Sequence, residues 1–227
     1  RGDHVPDDRQ AFLGTLDRIR PRSGRDPPRP VGFAVPTLQP DAVGDSRTLV
    51  LAHLEGRPVD RLPAMPITMM FAARLAGIRY RQYCTDYRLL AAAQALVAER
   101  FGFDHVSAIS DPAREAVDLG AAVTWFDDQP PALDDTRALL ADRRVLAGLA
   151  PADPLGGGRM TDRVRGVDLL AATAGRTRLV EGWVEGPCAE AADLRGIGTL
   201  MLDFADDPRF VDDLFGFAVD QAISFAQ

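Results

Sequence analysis

The sequence predicts an α/β fold of parallel strands joined by crossover helices. Three observations point there. From Ser46 onward, short apolar runs alternate with longer stretches whose apolar residues recur three and four positions apart. Glycine and proline signals fall between them, at Gly56, Gly102, Asp111-Pro112, Gly120 and Gly186-Pro187. The strand–helix alternation runs through four cycles, the pattern of βαβ units. It does not separate an open doubly wound sheet from a barrel. No Gly-x-Gly-x-x-Gly follows the first strand, so the dinucleotide-binding fingerprint is missing.

Residues 1–45 stand apart. Of the 17 Pro, those at 6, 21, 27, 28, 30, 36 and 40 fall here, with Arg and Asp between them. Such a stretch neither continues a helix nor joins a central strand, so it reads as a disordered arm with one or two helical turns around residues 10–19. Arg1-Gly2-Asp3 spells an adhesion tripeptide by chance.

The regular elements follow. Ser46 caps a helix to about Leu54, closed by Gly56. Residues 64–70 form the first strand. Residues 80–101 form a helix with Leu89, Ala93, Leu96, Val97 and Phe101 on one face, stopped by Gly102. Residues 105–110 make the second strand, broken by Asp111-Pro112. A short helix over 113–119 ends at Gly120. Residues 121–126 make the third strand, and 134–149, with Leu139, Leu140, Val145 and Leu146, look helical.

Residues 151–158 are a loop. Its Gly156-Gly157-Gly158 lacks the strand that leads into a phosphate-binding turn, so it reads as a flexible connection. A helix over 161–174, a fourth strand over 178–184 and a helix over 189–200 come next. Asp207, with Pro208 behind it, starts the last helix.

Composition narrows the chemistry. All 26 basic residues are Arg, and the chain has neither Lys nor Asn. Schiff-base lysine chemistry, a Walker-type P-loop and Asn-linked glycosylation are therefore excluded. The double absence points to codon bias in a GC-rich genome. The net charge of −7, with no basic stripe, argues against a nucleic-acid partner. No apolar run approaches the ~20 residues of a membrane span, and no signal peptide is visible. Two cysteines, Cys84 and Cys188, make no disulfide framework and fit a cytoplasmic location.

Four segments, in order, resemble the uroporphyrinogen decarboxylase superfamily from about residue 46 to the end. They are Leu54-Glu55-Gly56-Arg57-Pro58-Val59-Asp60-Arg61-Leu62-Pro63; Glu99 to Val106 with Ser110-Asp111; Glu115-Ala116 to Leu119-Gly120-Ala121; and Val184-Glu185-Gly186-Pro187 with Ala191 to Gly196 and Asp207-Pro208. The resemblance implies a (β/α)8 TIM barrel whose active site lies at the carboxyl ends of the strands. Only about the first four β/α units are expected here, and four strands do not close such a barrel. The chain is therefore expected to be the N-terminal half of the domain, completed by a missing C-terminal half or a second chain, and inactive alone.

The superfamily contains enzymes of two chemistries. One branch decarboxylates uroporphyrinogen in porphyrin biosynthesis without a cofactor. The other moves methyl groups between a corrinoid, free or on a corrinoid protein, and an acceptor such as a zinc-bound thiol. By resemblance, Asp111 is the decarboxylase-type catalytic carboxylate, able to accept pyrrole N–H bonds. Capping of the following helix is its alternative role. The decarboxylase's first arginine falls near Thr68, and its tyrosine beyond the fourth strand falls at Asp193. Thr68, Met69, Arg74, Trp183, Glu185, Cys188 and Asp193 are the expected substrate-binding positions. The apolar run from Met65 to Phe71 suits a flat hydrophobic face better than a ring of carboxylates, so the methyltransferase-like branch is favoured, with decarboxylation and a non-catalytic scaffold as alternatives. No metal ligand is assigned within the chain. Cys188 reads as a free, partly buried thiol, and Tyr80, Tyr83 and Tyr87 as a packing stripe.

Overall fold

In the computed structural model, the structure describes Gly14, Thr15 and residues 46–227. The expected arm, its helical turns and Arg1-Gly2-Asp3 lie outside the described residues, except that Gly14 and Thr15 are helical. The order is α1 (Ser46–Leu54), α2 (Met69–Ala76), α3 (Tyr80–Thr85), α4 (Tyr87–Phe101), β1 (His105–Ser107), α5 (Arg114–Asp118), β2 (Val123–Thr124), β3 (Ala132–Leu133), two 3₁₀ turns (Asp135–Arg137 and Arg143–Gly148), α6 (Arg159–Ala174), β4 (Leu179–Glu181), α7 (Pro187–Arg195), α8 (Ile197–Asp206) and α9 (Pro208–Ala226).

β1 and β4 pair in parallel, with His105 opposite Leu179 and Ser107 opposite Glu181. Those are the expected second and fourth strands. The expected third strand instead folds back as an antiparallel hairpin, Val123 opposite Leu133. Four parallel strands are therefore not formed among the described residues. The expected first strand forms no ladder either. Pro66 lacks the N–H a ladder needs, and the segment is tied to its neighbour at its start, where the Ala64 carbonyl accepts the Asp104 N–H at 3.0 Å. Asp104 completes that join. Its carboxylate accepts the Ala64 N–H at 2.7 Å and both ends of the Arg61 guanidinium at 2.6 Å.

The expected helix over 80–101 is two helices. Asp86 is extended (φ −134°), and its carboxylate accepts the Arg88 N–H, which starts α4 afresh. Gly102, at φ 69°, closes α4 as expected. The middle of α4 is buried all round, at Leu90, Ala91, Ala92, Ala93 and Gln94. Small residues there admit α6 closely, and a Cβ on Gly166 would sit 3.5 Å from that of Tyr87. Tyr80 and Tyr83 stack at 5.6 Å, so the tyrosine stripe is packing, as expected.

A second cluster joins α5, α7, α8 and α9 through Ala116, Leu194, Leu200, Phe210 and Leu214. Its polar hinge is Arg195. The Arg195 Nε donates to Asp203 at 2.6 Å, its Nη1 reaches the Ala141 carbonyl at 2.8 Å, and the guanidinium lies over the Phe210 ring. Arg143 also pairs with Asp203. These contacts help explain why 134–149 is not a helix. Asp134 and Asp142 each bond a backbone N–H two residues on, starting separate short turns, and the Leu140 N–H goes to the Leu194 carbonyl. Gly196, at φ 83°, splits the expected 189–200 helix into α7 and α8. Asp207 caps α9 through the Phe210 N–H, as read from the sequence.

The loop before α6 is not a loose connection at its end. Asp118 reaches across so that its carboxylate accepts the N–H groups of Arg159 and Met160, each at 2.8 Å. A Cβ on Gly158 would lie 2.4 Å from that carboxylate. The glycine is there to let an internal anion take the helix N-terminus.

Arg195 and Asp203 are 6% and 1% exposed at their side chains. Replacing Arg195 with Ala leaves the buried Asp203 carboxylate to Arg143 alone, and Arg195→Ala should cost about 3 kcal/mol in urea unfolding. A loss near that of a surface substitution would show that the pair does not hold α7 to α8.

Candidate functional site

Parallel pairing puts the segments after β1 and β4 at one end of the sheet. Ser110 and Asp111 follow β1, and Trp183 and Glu185 follow β4. The segment has its own supports: the Tyr83 hydroxyl donates to the Ile109 carbonyl at 2.9 Å, and Tyr80 donates to the Ser110 carbonyl.

Asp111 is wholly buried and does not cap α5, whose N-cap position is Ala113 with no side-chain bond. It meets Arg159 instead, fork to fork, at 2.8 and 2.7 Å. Burial pushes the Asp111 carboxyl up, but the Arg159 bonds and charge outweigh it, and the group is held below its ordinary value. Arg159 also donates to the Cys84 carbonyl at 3.0 Å and lies 5.1 Å from the Trp125 ring centre. Arg81 stands over the same ring, 5.7 Å from its centre. The hairpin thus delivers Trp125 against the Asp111–Arg159 pair.

Arg114 is the hub the sequence reading missed. It is the largest wholly buried side chain. Its guanidinium donates to the Asp111 carbonyl, to the Trp183 carbonyl at 3.4 Å, and to Glu115 and Glu185 at 3.4 and 3.5 Å. Trp183 Nε1 donates to Glu185 at 3.3 Å, and the Glu185 N–H donates to Glu115 at 3.0 Å. Of the expected residues, Asp111, Trp183 and Glu185 are therefore brought together, and Asp193 joins them from α7. Burial first, then the charges of Glu185 and Glu115, push Asp193 up to about 7. The sequence signals for Arg114 and Glu115 were their places three and four residues after Asp111. The signal for Arg159 was nil, because 48 positions separate it from its partner.

Thr68, Met69 and Arg74 do not join this group. Thr68 is buried and bonded to Gln94, whose amide also reaches the Tyr83 hydroxyl at 2.7 Å. Met69 packs on the first core. Arg74 lines a separate cavity of about 330 Å³ with Met70, Ala73, Ile78, Tyr80 and Asp128. Phe71 meets Phe101 in a tilted contact, ring centres 5.5 Å apart. The apolar run over residues 65–71 is thus divided: Met69 and Met70 pack on the core, while Ile67 and Phe71 stay 59% and 48% exposed.

Cys188 is exposed in the first turn of α7, not partly buried, because Pro187 opens the helix at the surface. Cys84 is buried, and burial together with Asp111 pushes its thiol up to about 12. No three His, Cys, Asp or Glu side chains among the described residues are arranged to hold a metal ion. No helix among them is long and apolar enough to cross a membrane.

Two outcomes test this geometry. A thiol reagent should modify one cysteine in the native chain, Cys188, and both after unfolding. Fast native modification of two would contradict the burial of Cys84. Because the folded value of Asp111 is depressed, its contribution to stability is present above the ordinary carboxyl value of 3.8 and is lost as pH falls through the lower folded value. Asp111→Asn should therefore destabilise at pH 7 by about 3 kcal/mol or more and flatten the acid limb of a stability–pH curve.

Comparison with known proteins adds the following. The family profile described as Uroporphyrinogen decarboxylase (URO-D) matches residues 45–227. No curated protein matches the chain in sequence. Among solved structures, a methyltransferase from Methanosarcina mazei superposes with a TM-score of 0.72 at 21% identity, over 81% of this chain. That likeness is one of fold. The chain spans 55% of the length of that methyltransferase.

Proposed function

The chain belongs to the uroporphyrinogen decarboxylase family, which holds decarboxylases and methyltransferases, and from that premise we propose that it serves methyl transfer rather than decarboxylation. The observation that carries this is the state of Asp111. Both of its oxygens are held by Arg159 and its side chain is 0% exposed, so the carboxylate is committed to an internal partner and sealed from the pyrrole N–H groups of a substrate. The charge around it supports the same reading. Arg114, the cation at the strand ends beside Asp111, is already shared between Glu115 and Glu185. A substrate with eight carboxylates would find no free guanidinium in that cluster. Thr68 stands where the decarboxylases have an arginine. The fold neighbour that is a methyltransferase agrees with this reading.

Methyl transfer in this family implies a corrinoid and zinc. The described residues do not fit either group by themselves. Cys84 is a buried neutral thiol, Cys188 has no partner ligands beside it, and the apolar run over 65–71 is split between the core, at Met69 and Met70, and the exposed Ile67 and Phe71. Both groups are therefore assigned to the remainder of a barrel, in a C-terminal half or a second chain. What this chain contributes is a rigid wall at the strand ends, held by Arg114 and Arg159.

The protein as its gene encodes it should transfer methyl from methylcobalamin to a thiol and lose that activity to a chelator. Coproporphyrinogen formed from uroporphyrinogen would overturn the reading. So would an Arg159→Ala enzyme that gains decarboxylation on release of Asp111 while the parent shows no methyl transfer.

A further inference from the structure

The strand ends hold more carboxylates than cations can serve. Arg114 is divided between Glu115 and Glu185. Glu190 and Asp193, three positions apart on α7, have no such partner. Glu190 is 2% exposed, and both of its oxygens are sealed from water without a hydrogen-bond donor. Asp193 Oδ2 is in the same condition, and Glu115 Oε2 has a 3.4 Å ion contact with Arg114 but no hydrogen bond. Acceptors stranded on three neighbouring residues share one deficiency, which is a hydrogen.

The charged groups that act most strongly on Glu190 bear on this. From α5 come Arg114 and Glu115, from the turn after β4 comes Glu185, and from α7 itself comes Asp193. Asp111 and Asp135 act in turn on Asp193. On α8 the buried Asp203 is already paired with Arg195 and Arg143. One cation thus faces several carboxyls. An ionised, unpaired carboxylate in such a place is costly, and the group keeps its proton instead. Like carboxyls crowded together do not all ionise.

We propose that Glu190, with Asp193 and Glu115, forms a proton-binding site that is loaded at neutral pH, Glu190 being a neutral acid whose O–H is donated to a neighbouring carboxyl oxygen. Asp193 is the half-buried member, so it is the route by which the proton exchanges with the open side of the strand ends. The site is an acid placed beside Asp111, Trp183 and Glu185, and it does not depend on which reaction the family assignment brings to them. Burial, then Glu115, Asp193 and Glu185, push Glu190 up to about 9, which agrees with the geometry.

The sign of the linkage follows. The folded value lies above the ordinary 4.5, so the stabilising proton is fully present at low pH and is lost as pH rises towards about 9. Glu190→Gln supplies amide donors to the stranded oxygens and carries no charge, so it should fold. Difference infrared spectra of the full chain should show a protonated-carboxyl band at pH 7 that disappears by alkaline titration and is missing in Glu190→Gln. Urea unfolding should show the parent's folding constant falling by as much as about tenfold more per pH unit than the variant's between pH 5 and 9. Absence of the band in the parent at pH 7 overturns the proposal, and so does a full band with a parallel pH curve in the variant. If the variant does not fold, the titration of the parent's band decides alone.

Discussion

Arg159 grips both oxygens of Asp111, and the arrangement above the strand ends follows from that grip. The bond joins the first turn of α6 to the segment leaving β1. It therefore fixes where α6 begins, and α6 leads directly into β4. With β4 in register beside β1, Trp183 and Glu185 arrive next to Arg114. The same guanidinium gives Trp125 a flat partner, so the antiparallel hairpin is anchored by it too. A planar fork with several donors does all of this at once. An ammonium would not span two carboxylate oxygens, a backbone carbonyl and a ring face. In a chain without lysine, that kind of contact recurs. Arg61 on Asp104 and Arg195 on Asp203 tie other chain crossings in the same way.

This economy has an electrostatic result. Each buried guanidinium is matched to a carboxylate near the place where it is needed for folding. The carboxylates of α7 are then left over, on the side facing the strand ends. That buried cluster beside the ends of β1 and β4 is suited to hold a hydrogen, not an anion. The Asp118 carboxylate at the start of α6 applies the same logic in reverse. An internal acid there takes the helix N-terminus, and the glycine-rich turn has no vacancy for a phosphate.

Much of the helical skeleton was legible because caps are local. Gly102, Asp207 with Pro208, and the face of Leu96 and Val97 on α4 all declare themselves within a few residues. The strands were not legible to the same depth. Residues 121–126 have the β-branched and aromatic character of a strand, and nothing local says that their partner is Ala132–Leu133 rather than β1. The breaks at Asp86 and Gly196 lie inside apolar periodicity that runs straight through them. At the site, Asp111, Trp183 and Glu185 stood out because each sits just beyond a strand, and Asp193 because the family's tyrosine falls there. Arg114, Arg159 and Glu190 did not, since a buried arginine or glutamate looks like a surface one until its neighbours are known. Family likeness over residues 45–227 supplied what periodicity lacked.

The parallel pairing of β1 with β4 carries a kinetic consequence. Roughly 70 residues intervene between the two strands, and closing so long an excursion before any ladder bond forms makes their pairing a late event. Local helix pairs, such as α3 with α4 and α8 with α9, are free to assemble first. The hairpin is local as well. The strand ends, and with them the cluster around Arg114, are completed only when α6 docks. The wall around Arg114 is thus the last part of the chain to acquire its shape, and the part that a slow or interrupted folding reaction leaves unfinished.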